Sequence, residues 1–82
     1  MVTIEEFIAK LESEFEDITP GTVKPESVIT EHFTMDSINA LIFIAHVNVE
    51  YDVIIDAEEL VSSKKVSDLY KVVTTKIIAN AA

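Results

Sequence analysis

The stretch from Ser37 to about Tyr51 limits the possible folds of this chain most strongly, because it is almost continuously apolar and contains neither glycine nor proline. Such a run is too long for an ordinary strand, whose mean length is about five to six residues. The pair Asp36-Ser37 stands at its start, and both residue types are favoured where a helix begins. We therefore predict a helix over residues 37–51, followed by an extended exit through Val53-Ile54-Ile55.

The chain before this helix divides into a helical part and a connection. Thr3 and Glu6 form the Thr-x-x-Glu pattern of a capping box, and the apolar residues that follow recur at helical spacing. We predict a first helix over about residues 3–16. From Asp17 to Met35 the periodicity is lost, and the single glycine and both prolines occur there. A connection of this length needs apolar anchors, and the candidates are Val23, Val28, Ile29 and Phe33.

Two further helices are predicted after the long apolar run. Residues 56–60 carry acids at their start and predict one short helical turn. Apolar residues at helical spacing predict a last helix over about 66–79, although Lys64-Lys65 stand where serine or threonine would cap it better. The sequence thus predicts an all-α fold, with three main helices, one short helix and a long first loop in a single domain over residues 1–82.

Chain length and cysteine content restrict how this fold can be stabilised. The sequence has 82 residues and no cysteine, so neither disulfides nor thiolate metal sites can contribute. A chain of this size buries only about 60% of its unfolded surface, which leaves little room for a deep catalytic cleft. Apolar residues make up 49% of the chain, and we expect them to supply the core alone.

The charge composition indicates which partners the chain can bind. Fifteen acidic residues against six basic ones give a formal charge of −9, which repels nucleic acids and anionic membranes. We expect a protein partner with a positive patch, and no stable membrane insertion. Glu5 and Glu6 interrupt any signal-peptide pattern, and the apolar stretch 38–45 is too short to span a bilayer, so a cytoplasmic location is predicted.

Ser37 is the one candidate nucleophile with a distinctive setting, but the sequence provides no suitable base. A catalytic serine needs a nearby histidine, and the two histidines are His32 in the connection and His46, nine residues after Ser37 on the same predicted helix. The two histidines are also too far apart for a common metal-binding motif. We therefore predict a protein without enzymatic activity of its own and without a metal, and both histidines are interpreted as surface or half-buried residues.

Asp36-Ser37 by itself has a simpler interpretation as a helix cap, because aspartate and serine are both strong N-cap residues. A bare Asp-Ser pair before a helix is therefore a weak functional signal. The same position would also suit a phosphate ester, since backbone N–H groups and the helix dipole favour negative charge there.

Four elements spread over the chain strengthen the functional interpretation. They are Glu31-His32-Phe33-Thr34-Met35-Asp36-Ser37-Ile38, the following Asn39-Ala40-Leu41, Glu50-Tyr51-Asp52-Val53-Ile54-Ile55, and Val66-Ser67-Asp68-Leu69. In this order and spacing, the chain resembles the acyl carrier protein family over essentially its whole length. The resemblance implies a small acyl-carrier-protein-like four-helix bundle.

The resemblance also implies a prosthetic group. Ser37 would carry a 4'-phosphopantetheine arm, attached by a phosphopantetheinyl transferase, and Asp36 would help to present the serine and cap the helix. The arm would hold acyl groups as thioesters for fatty acid, other lipid or polyketide biosynthesis, and would give this cysteine-free chain its thiol. A peptidyl or aminoacyl carrier domain is one alternative, and an unmodified helical interaction module is another.

Some residues depart from the family pattern. Thr34 stands where the family commonly has glycine and His32 where it often has aspartate, so we expect a different loop path before Ser37.

On the predicted second helix, one face should be core, and it consists of Ala40, Phe43, Ile44, Val47 and Tyr51. Asn39, His46 and Glu50 form a polar strip beside that face.

A second apolar face of this helix consists of Ile38, Leu41, Ile42, Ala45 and Val49. The family meets its partner enzymes there, usually through acids, so these residues are the candidates for partner recognition. Ile42 and Val49 replace common acids and suggest a specialised rather than housekeeping carrier. The alternatives are burial on both sides or self-association of an otherwise monomeric protein. Residues that could line an acyl cavity, but equally form ordinary core, are Phe33, Phe43, Val47, Ile55, Leu60 and Tyr70.

Overall fold

The computed structural model describes residues 2–16 and 18–81, and in this part of the chain it contains five helices and no strand. They are α1 (Ile4–Glu14), α2 (Ile29–His32), α3 (Ser37–Tyr51), α4 (Ala57–Ser62) and α5 (Val66–Ala81). The predicted all-α class and the three long helices are confirmed. Asp17, at which the predicted connection begins, lies outside the described residues.

Helix α1 starts where its sequence signal predicts. The hydroxyl of Thr3 accepts a hydrogen bond from the Glu6 N–H at 3.1 Å, so Thr3 is the N-cap. The helix ends at Glu14, slightly before the predicted boundary, because Phe15 adopts an extended conformation. Phe7, Ile8 and Leu11 form its buried face.

The prediction of four helices was wrong in one respect, because the connection contains the additional one-turn helix α2. Its first residue, Ile29, is buried, and the Phe33 N–H closes the turn on the Ile29 carbonyl at 2.8 Å. The proposed anchors of the connection are confirmed: Val23, Ile29 and Phe33 are buried, and Val28 is half-buried.

A buried carboxylate also fastens the connection to α1. Glu12 is 6% exposed, and its Oε2 accepts hydrogen bonds from the N–H groups of Gly21 at 2.9 Å and Val23 at 3.0 Å. Gly21 has φ +86°, a conformation that residues with a Cβ atom rarely adopt. The loop is therefore held by specific bonds in its first half, although its sequence has no regular periodicity.

The start of α5 is capped by distant backbone rather than by a local side chain alone. Val66 N–H donates to the Ser27 carbonyl at 3.0 Å, and Ser67 N–H donates to the Pro25 carbonyl at 2.9 Å. Asp68 adds a local bond, since its Oδ2 accepts from the Lys65 N–H at 3.0 Å. These partners satisfy the first N–H groups of α5 without a serine or threonine cap.

Helix α5 lies at the centre of the packing, against α1, α3 and α4, and α3 also contacts α4. Aromatic rings join these elements: Phe7 of α1 packs against Tyr51 of α3 at a centroid distance of 5.7 Å and against Tyr70 of α5 at 5.6 Å. The buried apolar core comprises Phe7, Ile8, Leu11, Val23, Ile29, Phe33, Phe43, Val47, Val53, Ile55, Leu60, Val66, Leu69 and Val73. Five of the six candidate cavity residues are thus fully buried core, and Tyr70 is half-buried against it.

Candidate functional site

Asp36 and Ser37 have different structural roles at the start of α3. Asp36 is the N-cap, with an extended backbone, and its Oδ1 accepts from the Asn39 N–H at 2.8 Å. Its carbonyl accepts the first helical bond, from Ala40 N–H at 2.9 Å. Ser37 is the first helical residue, and its side chain is exposed. The capping interpretation therefore applies to Asp36 and leaves the Ser37 hydroxyl available.

The backbone around Ser37 provides a local positive potential. Because a helical N–H bonds to the carbonyl four residues before it, the N–H groups of Ser37 and Ile38 have no partner within the helix. These groups lie at the positive end of the dipole of a helix with fifteen residues. A phosphate ester on the Ser37 oxygen would lie next to them, which is the arrangement that such helix ends favour.

The loop before Ser37 is attached to the helix through Asn39. The side-chain amide of Asn39 donates a hydrogen bond to the Thr34 carbonyl. Thr34 is exposed, and it is not among the described residues with positive φ, which are Gly21 and Asp52. A threonine is thus tolerated here because the backbone does not enter the left-handed region.

His46 is too far along α3 to act as a base for the Ser37 hydroxyl. His46 is nine residues further along α3, which corresponds to about 13 Å of helix axis. His32 is the last residue of α2 and is half-buried. In residues 2–16 and 18–81, no group of three or more histidine, cysteine or acidic side chains is arranged to hold a metal ion.

Most of the second apolar face of α3 is exposed, which contradicts the alternative of burial on both sides. We call Ile38, Leu41, Ile42, Ala45 and Val49 the apolar stripe. Ile38 is 68% exposed, Leu41 66% and Val49 80%, whereas Ile42 is half-buried. The opposite face behaves as predicted, with Phe43 and Val47 fully buried. Ile38, Leu41 and Val49 are therefore left uncovered by the other described elements.

His46 is more deeply buried than its sequence position indicates. It is only 4% exposed, so its interpretation as a surface or half-buried residue was wrong. Its Nδ1 lies 3.5 Å from Oε2 of Glu14 on α1, and its Nε2 is buried without a hydrogen-bond partner. Its position three residues after Phe43 places it beside the core face of the helix, and this spacing could have indicated its burial.

Each residue of the acid-aromatic-acid element has a structural role at the end of α3. Glu50 binds Lys10 of α1 at 3.0 Å, and the hydrogen bond and charge of Lys10 lower the pKa of this carboxyl group. Tyr51 packs on Phe7, and burial raises the pKa of its hydroxyl. Asp52 adopts the left-handed conformation with φ 56° and closes the helix by donating to the Asn48 carbonyl at 3.0 Å.

None of the helices in the described part of the chain combines the length and the apolar character that crossing a bilayer requires. Comparison with protein families, with curated proteins and with solved structures gave no match to this chain.

Proposed function

We propose that this protein is an acyl carrier protein whose Ser37 carries a 4'-phosphopantetheine arm. One observation carries the proposal. Asp36 supplies the cap of α3, so the exposed Ser37 hydroxyl at the first helical position is not needed to cap the helix. A serine in such a position can accept a bulky group without loss of a hydrogen bond that the fold needs. Its exposure also allows a separate transferase to reach it.

The residues around Ser37 are compatible with the phosphodiester that would link the arm. The N–H groups of Ser37 and Ile38 would face its negative charge, and Asp36 would keep the helix start rigid through its bond to Asn39. When bound, the arm supplies a terminal thiol on which an acyl group is held as a thioester. The chain itself has no cysteine, so its own side chains would not compete for the acyl group.

The order of elements also supports the carrier proposal. A first helix is followed by a long connection, then by the helix that starts at Ser37, a short helix and a last helix, with α2 as an added turn in the connection. These are the elements that the resemblance to acyl carrier proteins implies, in the same order. The site lies at the end of one helix and on the surface, as a carrier that visits several enzymes requires.

The proposed partners are a phosphopantetheinyl transferase and acyl-processing enzymes with basic or apolar docking patches. The charge of −9 favours basic surfaces, and the exposed apolar stripe favours apolar ones. An apolar stripe beside the attachment site suggests a specialised rather than a housekeeping carrier. The pathway to which such enzymes belong is fatty acid, other lipid or polyketide biosynthesis.

A second candidate function is an unmodified interaction module, and the same stripe favours it, because its exposure does not depend on Ser37. Intact mass after co-expression with a phosphopantetheinyl transferase separates the two functions. We expect a mass gain of one arm on the wild-type chain and none on Ser37→Ala. No gain on the wild type, or an equal gain on the variant, would contradict the carrier proposal. If the arm is present, the thioesters that accumulate on it distinguish an acyl carrier from a peptidyl carrier.

A further inference from the structure

A pocket of about 360 Å³ lies between α1 and the first part of the connection, and it shares no residue with the apolar stripe or with the site around Ser37. Its walls on α1 are Glu5, Ile8, Ala9 and Glu12. This spacing of three and four residues puts all four on one side of the helix. The connection supplies the opposite walls, which are Gly21, Val23, Lys24 and Pro25. The volume is at the lower end of the range of about 300–1,000 Å³ that is typical of small-molecule sites.

The Glu12 carboxylate offers one free oxygen to this pocket. Glu12 is 6% exposed, and its Oε2 already accepts from the N–H groups of Gly21 at 2.9 Å and Val23 at 3.0 Å. Within residues 2–16 and 18–81, no donor forms a hydrogen bond with Oε1 of Glu12. In the same residues, the unpartnered side-chain atoms that are sealed from solvent belong to His46 and Tyr51, so this Oε1 stays accessible. A donor that enters the pocket would gain a charge-assisted hydrogen bond there.

The bonding of Glu12 selects an ammonium group rather than a guanidinium as this donor. A guanidinium binds a carboxylate best when both oxygens accept in parallel, but Oε2 is occupied by two backbone N–H groups. An ammonium group is a compact charge whose donors can meet a single oxygen. Glu5 contributes a second carboxylate to the walls, and the charge of −9 attracts cations to the molecule.

The remaining walls determine the body of the ligand. Ile8 and Val23 are buried side chains, and Ala9 and Pro25 extend the aliphatic lining. An aliphatic group that covers these walls removes apolar surface from water. The ligand therefore combines an aliphatic body with an ammonium head.

The surroundings of the pocket favour a small molecule over a protein partner. The large exposed apolar side chains of the described chain lie on α3, α4, α5 and the segment between α3 and α4, and they are Ile38, Leu41, Val49, Ile54, Val61 and Ile78. None of these belongs to α1 or to the connection. A protein partner at this pocket would find no apolar surface to cover beyond the pocket itself.

We propose that the pocket between α1 and the connection binds a small aliphatic ammonium compound. Its ammonium group donates to Oε1 of Glu12, and its aliphatic body lies against Ile8, Ala9 and Val23. Because this ligand contacts α1 and the connection together, its binding holds the connection in place. The pocket does not include Ser37, so the proposal goes beyond the carrier function and can fail or succeed independently of it.

The experiment is a ligand titration of the full-length chain followed by NMR, with probes of similar shape and different charge. The probes are isopentylammonium, its neutral twin isopentyl alcohol, and the anion isocaproate. Glu12→Gln keeps an oxygen for the connection but removes the charge, and Ala9→Leu fills part of the pocket. Glu6→Gln on α1 and Ala79→Leu on α5 are the matched controls, because both positions are exposed and lie outside the pocket.

We expect isopentylammonium to shift the amides of Ala9 and Val23 in a saturable way, and to bind at least about tenfold more tightly than isopentyl alcohol. Hydrogen exchange at Gly21 and Val23 should slow on binding more than exchange in α5 does. Glu12→Gln and Ala9→Leu should each weaken binding at least about tenfold. Both control variants and Ser37→Ala should bind as the wild type does.

Equal binding of the ammonium compound and the alcohol would overturn the proposal, and so would binding that survives Ala9→Leu. Ala9→Leu leaves the Glu12 carboxylate and its bonds to the connection in place, so it decides the question even if Glu12→Gln unfolds the chain. A blocked lysine amide that binds more tightly than isopentylammonium would assign the pocket to a protein side chain instead.

Lys24→Met tests the sign of the ligand charge. Lys24 also lines the pocket, and its Nζ donates to the Gly21 carbonyl at 3.1 Å. Removal of this positive charge should leave the binding of isopentylammonium unchanged or make it tighter. Tighter binding of isocaproate than of isopentylammonium, lost in Lys24→Met, would identify an anion site and contradict the proposal.

Discussion

The carboxylate of Asp36 accepts a hydrogen bond from the backbone N–H of Asn39 at 2.8 Å, and this bond fixes the start of α3. The side-chain amide of Asn39 in turn donates a hydrogen bond to the Thr34 carbonyl in the preceding loop. The two residues thus hold the loop and the helix together on both sides of Ser37. This arrangement separates the residue that stabilises the helix from the residue that is available for chemistry.

The first prediction follows from this separation. Asp36→Ala should lower the free energy of unfolding by about 1 kcal/mol, because the Asn39 N–H loses its cap. Ser37→Ala should change it by less than about 0.5 kcal/mol, since an exposed hydroxyl at the first helical position is not needed for capping. Urea unfolding of both variants measures the difference. A larger loss for Ser37→Ala would mean that the serine has a structural role after all.

The second prediction concerns the carboxylate that fastens the long connection. Glu12→Ala should destabilise the protein by about 1–3 kcal/mol, because the buried N–H of Val23 loses its acceptor. Glu12→Gln should cost less, since one amide oxygen can still accept. Hydrogen exchange at Gly21 and Val23 should accelerate in the alanine variant more than exchange in α5. Unchanged exchange at these two amides would contradict the assigned role of Glu12.

The third prediction concerns the buried imidazole of His46. His46→Leu puts an apolar side chain of similar size in place of the imidazole and removes the unpartnered nitrogen. The free energy of unfolding should therefore be unchanged or increased by up to about 1 kcal/mol. His46→Ala should lower stability by about 2 kcal/mol through the cavity that it leaves. Thermal unfolding of the pair measures this contrast. A strong loss for the leucine variant would show that the imidazole nitrogens contribute more than its volume does.

The fourth prediction uses the lowered pKa of Glu50. Lys10→Met should return this pKa toward its ordinary value of 4.5, because the Lys10 ammonium is the largest cause of the shift. A lowered carboxyl pKa stabilises the folded state above the unfolded value and loses that effect as the pH falls through the folded one. The wild type should therefore lose more stability than Lys10→Met on acidification below about pH 4.5.

Carboxyl-carbon NMR titration measures the Glu50 pKa directly. Lys71→Met is the matched control, since Lys71 is exposed on α5 and is not paired with Glu50. This control should leave the titration of Glu50 unchanged. An equal shift in both lysine variants would mean that overall charge, rather than the contact with Lys10, sets the pKa.

Local signals in the sequence predicted the helices well where the signal and its partner lie within one turn. The boundaries of α3 were predicted closely, because Asp36 caps an N–H only three residues away and the run contains no helix breaker. The cap at Thr3 is of the same kind. Helix α2 was missed, because a single turn has no periodicity of its own and is held by burial of Ile29.

The candidate site was predictable in part. Ser37 and Asp36 could be selected from their position before an apolar run, but which of them caps the helix became clear only from the hydrogen bonds. The burial of His46 was not predicted, because helical periodicity gives only the angle of a residue around the helix axis. It does not show how far neighbouring elements extend around the helix. Glu14, which meets His46 from another helix, gave no sequence signal at all.

The sequence by itself determined the all-α class, the three long helices and the unusual apolar character of α3, since these depend on composition, spacing and contacts within a few residues. Only the tertiary structure decided that Ile38, Leu41 and Val49 of the apolar stripe stay exposed and that His46 is buried. It also decided that the carbonyls of Pro25 and Ser27 cap α5. Burial and long-range hydrogen bonds depend on which elements meet in space. A helix with two apolar faces does not reveal which of them the remaining chain will cover.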